Sequence, residues 1–495
     1  MQERFPAPEF DSPTGGAFPP PASRRVYCNR SLRLDQIGIV GFDMDYTLAV
    51  YRQAEMDRLS IEVTISKLVE RGYPQALLSM EYRTDFPVRG LLIDRKLGNV
   101  LKMDRYRYVK TAYHGFRRLT REERRRAYHT RRLRPGTERY HWVDTLYGLS
   151  EVAVYAAVIA HLERHGTSVD YAKLFADVRE CADISHQDGS ILDVVQADLP
   201  KFVDRDPGLG TLFHKLRSAG KRLFVLTNSG PDYTEAMMSY LLDDALGEYP
   251  SWRNYFDYIM TASKKPSFFT QKTPFTDVAT GQETERPSRG RMYTGGNIAD
   301  LRKTLGVPGD EVLYVGDHIY GDVLRAKKES AWRTAMIIQE MDDELRTLQE
   351  HAAGFERAAI LDQNRTAVQD ELREHQARLK KTERALQSED NLPGRPALEA
   401  ERVRRRRSID RLRAQLRDLD AEATSLNNSL DEAFHPFWGS SFKAGTEVSS
   451  FGNQIEQYAC LYTSRASNLA QYSPMHYFQS PRHRMPHEVG PSSGL

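Results

Sequence analysis

The 495-residue sequence has few cysteines, no long apolar run and no excess of charge of either sign. Its three cysteines, Cys28, Cys181 and Cys460, are too few and too scattered for a disulfide framework or a cysteine-bound metal cluster. The longest apolar stretch, at 152–162, is about half as long as a bilayer-spanning helix, and the N-terminus lacks the basic and then apolar pattern of a signal peptide. We therefore expect reduced thiols, no membrane segment and a cytoplasmic location.

Acidic and basic side chains nearly balance. Lysine and arginine number 70 against 68 aspartates and glutamates, which leaves a formal net charge of +2. Charge alone therefore gives no reason to expect a nucleic acid or a membrane surface as a partner. Two arginine-rich runs, 117–139 and 402–413, could attract polyanions, but such runs are more often solvated helix faces. We do not expect nucleic-acid binding.

Three segments have the pattern of buried parallel strands that end in polar loops. They are IGIVGFDMDYTLAV at 37–50, KRLFVLTNSG at 221–230 and DEVLYVGDHIYGD at 310–322, each an apolar run followed by acidic, hydroxyl or amide side chains. Helical patterns lie between them. The repetition of strand, polar loop and helix predicts a doubly wound α/β fold with a parallel sheet, in which ligands bind beyond the carboxyl ends of the strands.

Composition and spacing divide the rest of the chain. The Pro-, Gly- and Ser-rich start is predicted to be a disordered tail, and the span between the first two strands is too long for one crossover connection, so it must hold an insertion. A β-hairpin around 97–99 is expected to extend the core. The predicted parts are the tail at 1–24, the α/β core at 25–111 and 206–339, a helical cap at 112–205, a helical hairpin at 340–432 and a segment at 433–495 that packs on the core.

The helical hairpin is predicted from the spacing of its apolar residues. Leu372, Leu379 and Leu386 are seven residues apart, and after a turn-forming DNLPGRP string further apolar residues follow at steps of three and four. The pattern indicates two antiparallel helices without any chemistry-bearing cluster. We expect this hairpin to mediate self-association, which makes a homo-oligomer the predicted assembly.

The first predicted strand ends in two carboxylates. Asp43 and Asp45 are two residues apart, so both side chains leave the same face of the strand. Two carboxylates there would repel each other unless a cation or a shared proton held them. One could act as a nucleophile and hold Mg²⁺ while the other works as acid and base. A loop whose acids cap the next helix would explain the pair equally well.

The other strand ends carry complementary groups. Thr227 and Asn228 follow the second strand at a helix start, which suits a phosphate group, although a helix cap is the commoner explanation. Asp317 and Asp322 follow the third strand on a glycine-containing loop, where either a metal site or turn chemistry accounts for the acids. Lys265 lies between these two strands along the chain, and an exposed lysine is usually solvated.

The four groups in this order resemble the haloacid dehalogenase superfamily of phosphotransferases. FDMDYTL matches its DxDxT first motif, LTNSG the second, the lysine of SKKPSFF the third and GDHIYGD the fourth. Further strings, including TLYGLSE, DVRECADISHQDGS, YTGGN and MPHE, make the sequence similar to the cytosolic purine 5′-nucleotidase family, the IMP- and GMP-preferring enzymes and their bacterial relatives. The resemblance extends over about 25–488 and is faint through the helical hairpin.

The resemblance implies hydrolysis of nucleoside 5′-monophosphates, with transfer of the phosphate to a nucleoside as a second outcome. Asp43 would be the nucleophile that forms an aspartyl phosphate. Asp45 would protonate the leaving 5′-oxygen and then deprotonate water. Thr227 and Asn228 would hold the phosphoryl oxygens, and Lys265 would offset the charges of phosphate and carboxylate.

The resemblance also implies Mg²⁺ as the cofactor. Its ligands would be the side chains of Asp43 and Asp317 and the main-chain carbonyl of Asp45, with Asp322 supporting the loop and the lysine. His318 lies within the fourth motif, but we expect it to be a structural spacer, because Mg²⁺ prefers oxygen ligands.

The cap carries the predicted substrate contacts. Arg179, Asp183 and His186 are four and three residues apart, so they share one helix face, and the resemblance implies that they contact the nucleotide while Tyr147 stacks on the base. An exposed ion pair between the arginine and the aspartate is the alternative. Leu192 stands where the family has a lysine that helps to recognise the purine, so preference for IMP and GMP does not follow at this position.

Two other functions remain open. The same chemistry could act on a sugar phosphate or another small phosphomonoester, which Leu192 favours. The chain could also be a non-catalytic scaffold whose function lies in the helical hairpin. The full set of acids, hydroxyl and lysine at the strand ends argues against the scaffold, because a vestigial site should have lost some of them.

Overall fold

The computed structural model describes residues 20–129, 133–388 and 394–481. Most of the predicted disordered tail and the MPHE string therefore lie outside the described residues, and the last residues of the tail include a short 3-10 turn at Ala22–Arg24. The chain divides into two compact units. One contains the residues up to Asp342 and those from Glu447, and the other is Asp343–Thr446.

The described residues form the following strands and α-helices, numbered in chain order. The strands are β1 (Tyr27–Cys28), β2 (Leu32–Arg33), β3 (Ile39–Phe42), β4 (Val50–Tyr51), β5 (Leu91–Asp94), β6 (Asn99–Met103), β7 (Val109–His114), β8 (Arg117–Arg118), β9 (Tyr140–Val143), β10 (Val203–Asp204), β11 (Arg222–Leu226), β12 (Tyr258–Thr261), β13 (Phe275–Asp277), β14 (Glu283–Thr284), β15 (Met292–Gly295), β16 (Val312–Gly316), β17 (Arg333–Ile337), β18 (Lys443–Ala444), β19 (Glu447–Val448), β20 (Leu461–Thr463) and β21 (Tyr477–Phe478). The helices are α1 (Gln53–Glu70), α2 (Arg121–Tyr128), α3 (Gly148–Arg164), α4 (Tyr171–Gln187), α5 (Leu192–Ala197), α6 (Leu199–Phe202), α7 (Gly208–Ser218), α8 (Pro231–Leu242), α9 (Ile298–Leu305), α10 (Arg325–Ser330), α11 (Met341–Glu350), α12 (Ala352–Ser388), α13 (Arg395–Phe434) and α14 (Ser450–Tyr458).

The centre of the first unit is a ten-stranded sheet with the order β1-β20-β17-β16-β3-β11-β12-β15-β13-β14. The strands from β20 to β15 run parallel to one another, whereas β1 and β13 join antiparallel at the two sides. The three strands predicted from the sequence are β3, β11 and β16, and they lie side by side with β3 in the middle. All four residues of β3 are buried, as expected for a strand covered on both faces. The predicted parallel α/β core is confirmed.

Close packing of the central strands depends on one glycine. A Cβ atom on Gly41, within β3, would lie 2.0 Å from the ring of Phe224 on β11. The Phe224 ring continues into an aromatic group with Tyr314 on β16 and with Trp332, at centroid distances of 6.1 and 5.6 Å. Gly41, Phe224 and Tyr314 lie within adjacent strands, so this packing sets how closely β3, β11 and β16 approach one another.

A separate five-stranded antiparallel sheet contains the predicted β-hairpin. The hairpin of β5 and β6 forms, but its strands pair with β9 and β7 in the order β8-β7-β6-β5-β9 and do not extend the central sheet. The predicted boundary at 111 falls within β7, so the region between core and cap helices is a β-sheet with its own core. Its buried residues are Leu92, Leu101, Met103, Val109, Ala112, Leu119, Tyr128 and Leu133.

The inserted region continues with helices. α1, α3 and α4 pack against one another. The apolar stretch that begins at Val152 lies in the middle of α3, where every residue from Val152 to Ile159 is buried within the protein. Among the described residues, no helix is long and apolar enough to cross a membrane.

A two-stranded ribbon lies where the chain enters and leaves the inserted region. β4 pairs antiparallel with β10, so that Tyr51 is opposite Val203. The main-chain N–H of Arg52 donates to the carbonyl of Phe202 at 2.8 Å, and the Arg52 guanidinium binds Asp204 at 2.8 Å. The two ends of the insertion are therefore tied together beside the first motif.

The second unit is dominated by the long helices α12 and α13. Arg357 pairs with Glu422 and Arg406 with Glu383, so pairs early in one helix and late in the other indicate antiparallel helices. The predicted helical hairpin is confirmed, and the first four residues of the DNLPGRP string that was predicted to form its turn lie outside the described residues. In the first unit, the C-terminal segment contributes β20 to the central sheet beside β17.

Candidate active site

The four motif segments meet at one edge of the central sheet. They follow β3, β11, β12 and β16, which are adjacent parallel strands, so their carboxyl ends open onto a common space. That space is a cavity of about 130 Å³. Its lining residues are Asp43, Asp45, Thr145, Tyr147, Asn228, Lys265, Asp317, His318, Gly321 and Asp322.

Lys265 is a buried cation at the centre of the site. Its Nζ lies 2.9 Å from Asp43 Oδ1 and 2.6 Å from Asp322 Oδ1, and it donates to the Tyr314 hydroxyl at 3.0 Å. Its side chain is only 5% exposed, so the solvated lysine that the sequence left open is excluded. Burial opposes its charge, but Asp322 and Asp43 outweigh burial and raise the pKa of Lys265 well above its ordinary value.

Three buried carboxylates surround one point beside the lysine. Oxygens of Asp43, Asp317 and Asp322 lie within 4.8 Å of one another. Burial raises the pKa of Asp43 well above its ordinary value against the opposing effect of Lys265, and burial raises the pKa of Asp317 to about 8. Burial disfavours the ionised forms of Asp43 and Asp317, so this cluster of carboxylate oxygens fits a site for a small divalent cation.

The two acids of the fourth motif differ in their bonding. Both oxygens of Asp322 accept hydrogen bonds. Oδ1 accepts from Lys265 Nζ and from the Tyr314 hydroxyl, and Oδ2 accepts from the main-chain N–H of His318. Among the described residues, the Asp317 carboxylate pairs with one cation, Arg89, whose Nη1 lies 3.7 Å from its Oδ2. Asp317 is therefore the freer ligand for a metal, and Asp322 is suited to hold the loop and the lysine.

Arg89 is a site residue that sequence reasoning missed. Its side chain is fully buried, its Nη1 donates to the main-chain carbonyl of Asp317 at 3.0 Å, and its other nitrogens bind both oxygens of Glu340 at 2.6 Å. The guanidinium lies over the ring of Phe451 at 5.3 Å. Its partners are more than 200 positions away along the chain, so no local pattern could have identified it.

Asp45 faces a different set of groups from Asp43. The Tyr51 hydroxyl donates to its Oδ1 at 2.7 Å, the Ser229 hydroxyl donates to its Oδ2 at 2.6 Å, and the Thr227 hydroxyl lies 3.4 Å from Oδ2. Both aspartates line the same cavity, as the spacing predicts, but only Asp43 belongs to the carboxylate cluster. No sequence pattern indicated Tyr51, although it lies eight residues after the nucleophile candidate.

Asn228 joins the second motif to the third. Its side-chain amide donates to the main-chain carbonyl of Lys265 at 3.0 Å, and its carbonyl oxygen accepts the main-chain N–H of Lys265 at 2.5 Å. Thr227 is completely buried, and its hydroxyl accepts the main-chain N–H of Ser229 at 3.1 Å. These bonds hold the two loops in one arrangement around the cavity.

His318 has the structural part expected of it. Its Nδ1 accepts the main-chain N–H groups of Tyr320 and Gly321, both at 3.1 Å, at the start of a π-helical turn over Ile319–Leu324. The turn leads to Asp322 and so places the end of the fourth motif.

The predicted substrate residues are only partly brought together. Tyr147 lines the cavity and meets the rings of Tyr46 and His186 edge to face, at centroid distances of 4.8 and 5.2 Å. Arg179, Asp183 and His186 share α4 but are not among the described residues that line the cavity. Leu192 begins α5 and is partly buried.

Arg179 has a partner that the spacing did not predict. Its Nε lies 3.4 Å from Glu151 on α3, and among the described residues it makes no ion pair with Asp183, which is exposed. Glu151 is largely buried, and burial raises its pKa to about 7 against the opposing effect of Arg179. Its position within the TLYGLSE string is the signal that could have identified it.

Comparisons with known proteins agree with this geometry. A family model described as the 5′ nucleotidase family matches residues 26–490. A 5′-nucleotidase domain-containing protein of Dictyostelium discoideum is 30% identical over 482 residues, which are 94% of this chain and 74% of that protein. The 5′-nucleotidase domain-containing protein 2 of Homo sapiens is 28% identical over 341 residues, and that of Rattus norvegicus is 27% identical. Each match covers 65% of this chain and less than two thirds of the relative, 64% and 60%.

Two solved structures match the chain with low TM-scores. CbbY from Rhodobacter sphaeroides in complex with phosphate matches with a TM-score of 0.24 and 17% identity, over 61% of this chain and 86% of that chain. The L-2-haloacid dehalogenase from Xanthobacter autotrophicus matches with a TM-score of 0.21 and 15% identity, over 61% and 78%. Because the family model matches 26–490, and so all four segments that meet at the cavity, the chain belongs to the 5′ nucleotidase family.

Proposed function

We propose that the protein is a Mg²⁺-dependent phosphatase of nucleoside 5′-monophosphates that works through a phosphorylated Asp43. The observation that carries this proposal is the buried Lys265, which bridges Asp43 and Asp322 within a cluster of three carboxylates. A nucleophilic carboxylate next to a fixed cation, on a cavity open to a ligand, suits the attack on a phosphoryl group.

The proposed reaction has two steps. In the first, an oxygen of Asp43 bonds to phosphorus, the bond from phosphorus to the 5′-oxygen breaks, and Asp45 gives its proton to that oxygen. In the second, Asp45 takes a proton from water, the water oxygen bonds to phosphorus, and the bond to Asp43 breaks. A nucleoside hydroxyl in place of water would give phosphotransfer.

The remaining motif residues hold the phosphoryl group. Lys265 would compensate the charges of the phosphate and of Asp43, and Thr227 and Asn228 would donate to the phosphoryl oxygens. Mg²⁺, held by the side chains of Asp43 and Asp317 and the carbonyl of Asp45, would supply positive charge to the phosphoryl oxygens.

The cap is proposed to select the rest of the substrate. Tyr147 lines the cavity and offers a ring for stacking on a base, and Arg179, Asp183 and His186 lie along the neighbouring helix α4. Purine nucleotides are the proposed substrates. Leu192 supports the second candidate, a sugar phosphate or other small phosphomonoester, because an apolar side chain cannot bond a base carbonyl.

One panel of assays tests the proposal. Phosphate release is measured from IMP, GMP, AMP, UMP and ribose 5-phosphate, with Mg²⁺, with Ca²⁺ and after EDTA. We expect nucleotides to exceed ribose 5-phosphate in kcat/KM, EDTA to stop the reaction, Mg²⁺ to restore it and Ca²⁺ to restore it poorly, because its larger shell misplaces the phosphoryl oxygens. Equal kcat/KM for ribose 5-phosphate would favour the second candidate, and release from no ester would favour the scaffold.

We also propose a cellular location and an assembly for the protein. A cytoplasmic protein agrees with three free cysteines, two of them buried. A homo-oligomer joined through α12 and α13 agrees with the partly buried leucines of the hairpin, Leu372, Leu379 and Leu386. Sedimentation of the full chain against a variant without 352–434 tests it, and an unchanged number of subunits would contradict it.

A further inference from the structure

The carboxylate of Asp45 is anchored on both oxygens. Tyr51 donates to Oδ1 at 2.7 Å and Ser229 donates to Oδ2 at 2.6 Å. One hydrogen bond would leave a carboxylate free to rotate about that contact, whereas two short bonds on different oxygens fix both its position and its plane. The direction in which Asp45 presents its oxygens is therefore set by these two hydroxyls.

The Tyr51 hydroxyl is itself oriented by a second tyrosine. The hydroxyls of Tyr51 and Tyr233 are 2.9 Å apart. A phenol carries a single donor hydrogen, and that of Tyr51 is directed to Asp45, so Tyr233 must be the donor between the two tyrosines. Tyr233 lies in the first turn of α8, which begins directly after the loop that carries Ser229. The hydrogen bonds therefore run in one direction: Tyr233 donates to Tyr51, and Tyr51 donates to Asp45.

The main chain and the packing fix Tyr51 as well. It lies in β4 opposite Val203 of β10, its ring contacts that of Tyr46 at a centroid distance of 4.7 Å, and it is 4% exposed. Because the backbone, ring and hydroxyl of Tyr51 are all held, its side chain has little freedom to move. The position of the Tyr51 hydroxyl therefore determines the orientation of the Asp45 carboxylate.

We propose that Tyr51 is a positioning residue that orients the carboxyl group of Asp45 towards the leaving oxygen of the substrate. The inference rests on the proposed function, in which Asp45 gives a proton to the leaving oxygen as the bond from Asp43 to phosphorus forms. Tyr51 exchanges no proton in either step and donates to Asp45 throughout. Removal of its hydroxyl leaves Asp45 bonded through Oδ2 alone, to Ser229 and Thr227, so its proton is less well placed for transfer.

The choice of leaving group distinguishes a positioning role of Tyr51 from a purely structural role. The 5′-oxygen of a nucleoside needs a proton as it departs, whereas p-nitrophenolate is stable without one. The parameter kcat/KM reports the steps up to the first irreversible one, phosphoryl transfer to Asp43, and so excludes the later attack by water. If Asp45 is wrongly oriented, kcat/KM for the nucleotide should fall while kcat/KM for p-nitrophenyl phosphate stays nearly unchanged.

The experiment compares IMP with p-nitrophenyl phosphate for wild type, Tyr51→Phe, Tyr233→Phe and Asp45→Asn. We expect Tyr51→Phe to lower kcat/KM for IMP by about 10- to 100-fold and that for p-nitrophenyl phosphate by less than about threefold. Asp45→Asn should give the same pattern with a larger loss, and Tyr233→Phe a smaller loss. Tyr155→Phe is the matched control, because Tyr155 is a buried tyrosine whose hydroxyl donates to the carbonyl of Tyr171.

Three outcomes would overturn the role of Tyr51. Equal losses for the two esters would make Tyr51 a structural residue, and no loss for IMP would make its hydroxyl dispensable. If wild type released phosphate from neither ester, the proposed function would fail and the inference with it. Should Tyr51→Phe not fold, Tyr233→Phe carries the same comparison, because it leaves the Tyr51 side chain intact.

Discussion

The core end of the cavity and the cap end of the inserted region, formed by helices α3 and α4, differ in how their charged groups are partnered. At the core end, Lys265, Asp43 and Asp322 are buried and bonded to one another. At the cap end, Asp183 is exposed, and the side chain of Arg179 is 41% exposed with a single contact to a glutamate. We infer that the core end is preorganised for one reaction, whereas the cap end leaves Asp183 and part of the Arg179 side chain in contact with solvent. Changes at the core end should therefore abolish turnover, and changes at the cap end should alter selection.

The largest expected effect is that of Asp43→Asn. The amide is neither a competent nucleophile nor a good Mg²⁺ ligand, so phosphate release from IMP should fall by at least about 10³-fold while the fold is retained. Asp183→Asn at the cap end serves as the contrast and should change kcat by less than about tenfold. Activity of Asp43→Asn within about tenfold of wild type would contradict the mechanism.

Lys265→Met should destabilise the core end as well as inactivate it. The substitution removes the cation shared by Asp43 and Asp322, and a buried charge left without its partner costs about 3–5 kcal/mol in the free energy of unfolding. Adding Asp322→Asn should restore part of this loss, which a double-mutant cycle in urea measures. Lys272→Met is the control, because Lys272 pairs with Glu285 between side chains that are 70% and 66% exposed, and the loss there should stay below about 1 kcal/mol. A loss as small for Lys265→Met would contradict its central place.

At the cap end, Glu151→Gln should change how stability depends on pH. Burial raises the pKa of Glu151 from 4.5 to about 7. Between these values the folded protein binds a proton that the unfolded chain releases, so Glu151 lowers the free energy of unfolding as the pH rises through this range. The glutamine variant lacks this decrease. Its free energy of unfolding, relative to that of wild type, should therefore rise by up to about 3 kcal/mol between about pH 4.5 and pH 7.

The exposed glutamate of the Arg253–Glu235 pair provides the control for that comparison. Urea unfolding of wild type, Glu151→Gln and Glu235→Gln at several pH values measures the difference. Parallel curves for wild type and Glu151→Gln would show that Glu151 ionises in the folded protein as it does in the unfolded chain.

The smallest expected effect is a change of selection by Leu192→Lys. A lysine that reached a base carbonyl would add a charge-assisted hydrogen bond, which should raise kcat/KM for IMP or GMP relative to AMP by about tenfold. Leu192→Met keeps the side chain apolar and should leave the ratio unchanged. Equal ratios for wild type and Leu192→Lys would mean that this position does not read the base.

The core end could be predicted from sequence because its geometry follows from local rules. An apolar strand that ends in Asp43 places that residue at the sheet edge, and parallel strands that end in Thr227 and Asp317 bring their polar residues to the same edge. The five-stranded sheet was not predicted correctly, because β5 pairs with β9 across more than 40 residues and no local pattern states which strands will pair. Arg89 was missed for the same reason.

The cap end resisted prediction for a different physical reason. Helical spacing placed Arg179 and Asp183 on one face, but it could not reveal that Glu151 on a neighbouring helix is the closer partner for the arginine. Partner choice between helices depends on how they pack. The sequence therefore indicates which residues can meet a substrate, and the packing decides which of them are free to do so.

The ribbon of β4 and β10 has a consequence for how the protein can be altered. The inserted region starts and finishes at neighbouring points, because Tyr51 lies opposite Val203. An insertion with adjoining ends places no demand on the path of the rest of the chain, whatever its length. A cap of another size could replace the present one at this ribbon without a change in the path of the central sheet. The ribbon is therefore a suitable junction for cap exchange, which would change the substrate preference while the catalytic residues of the core stay the same.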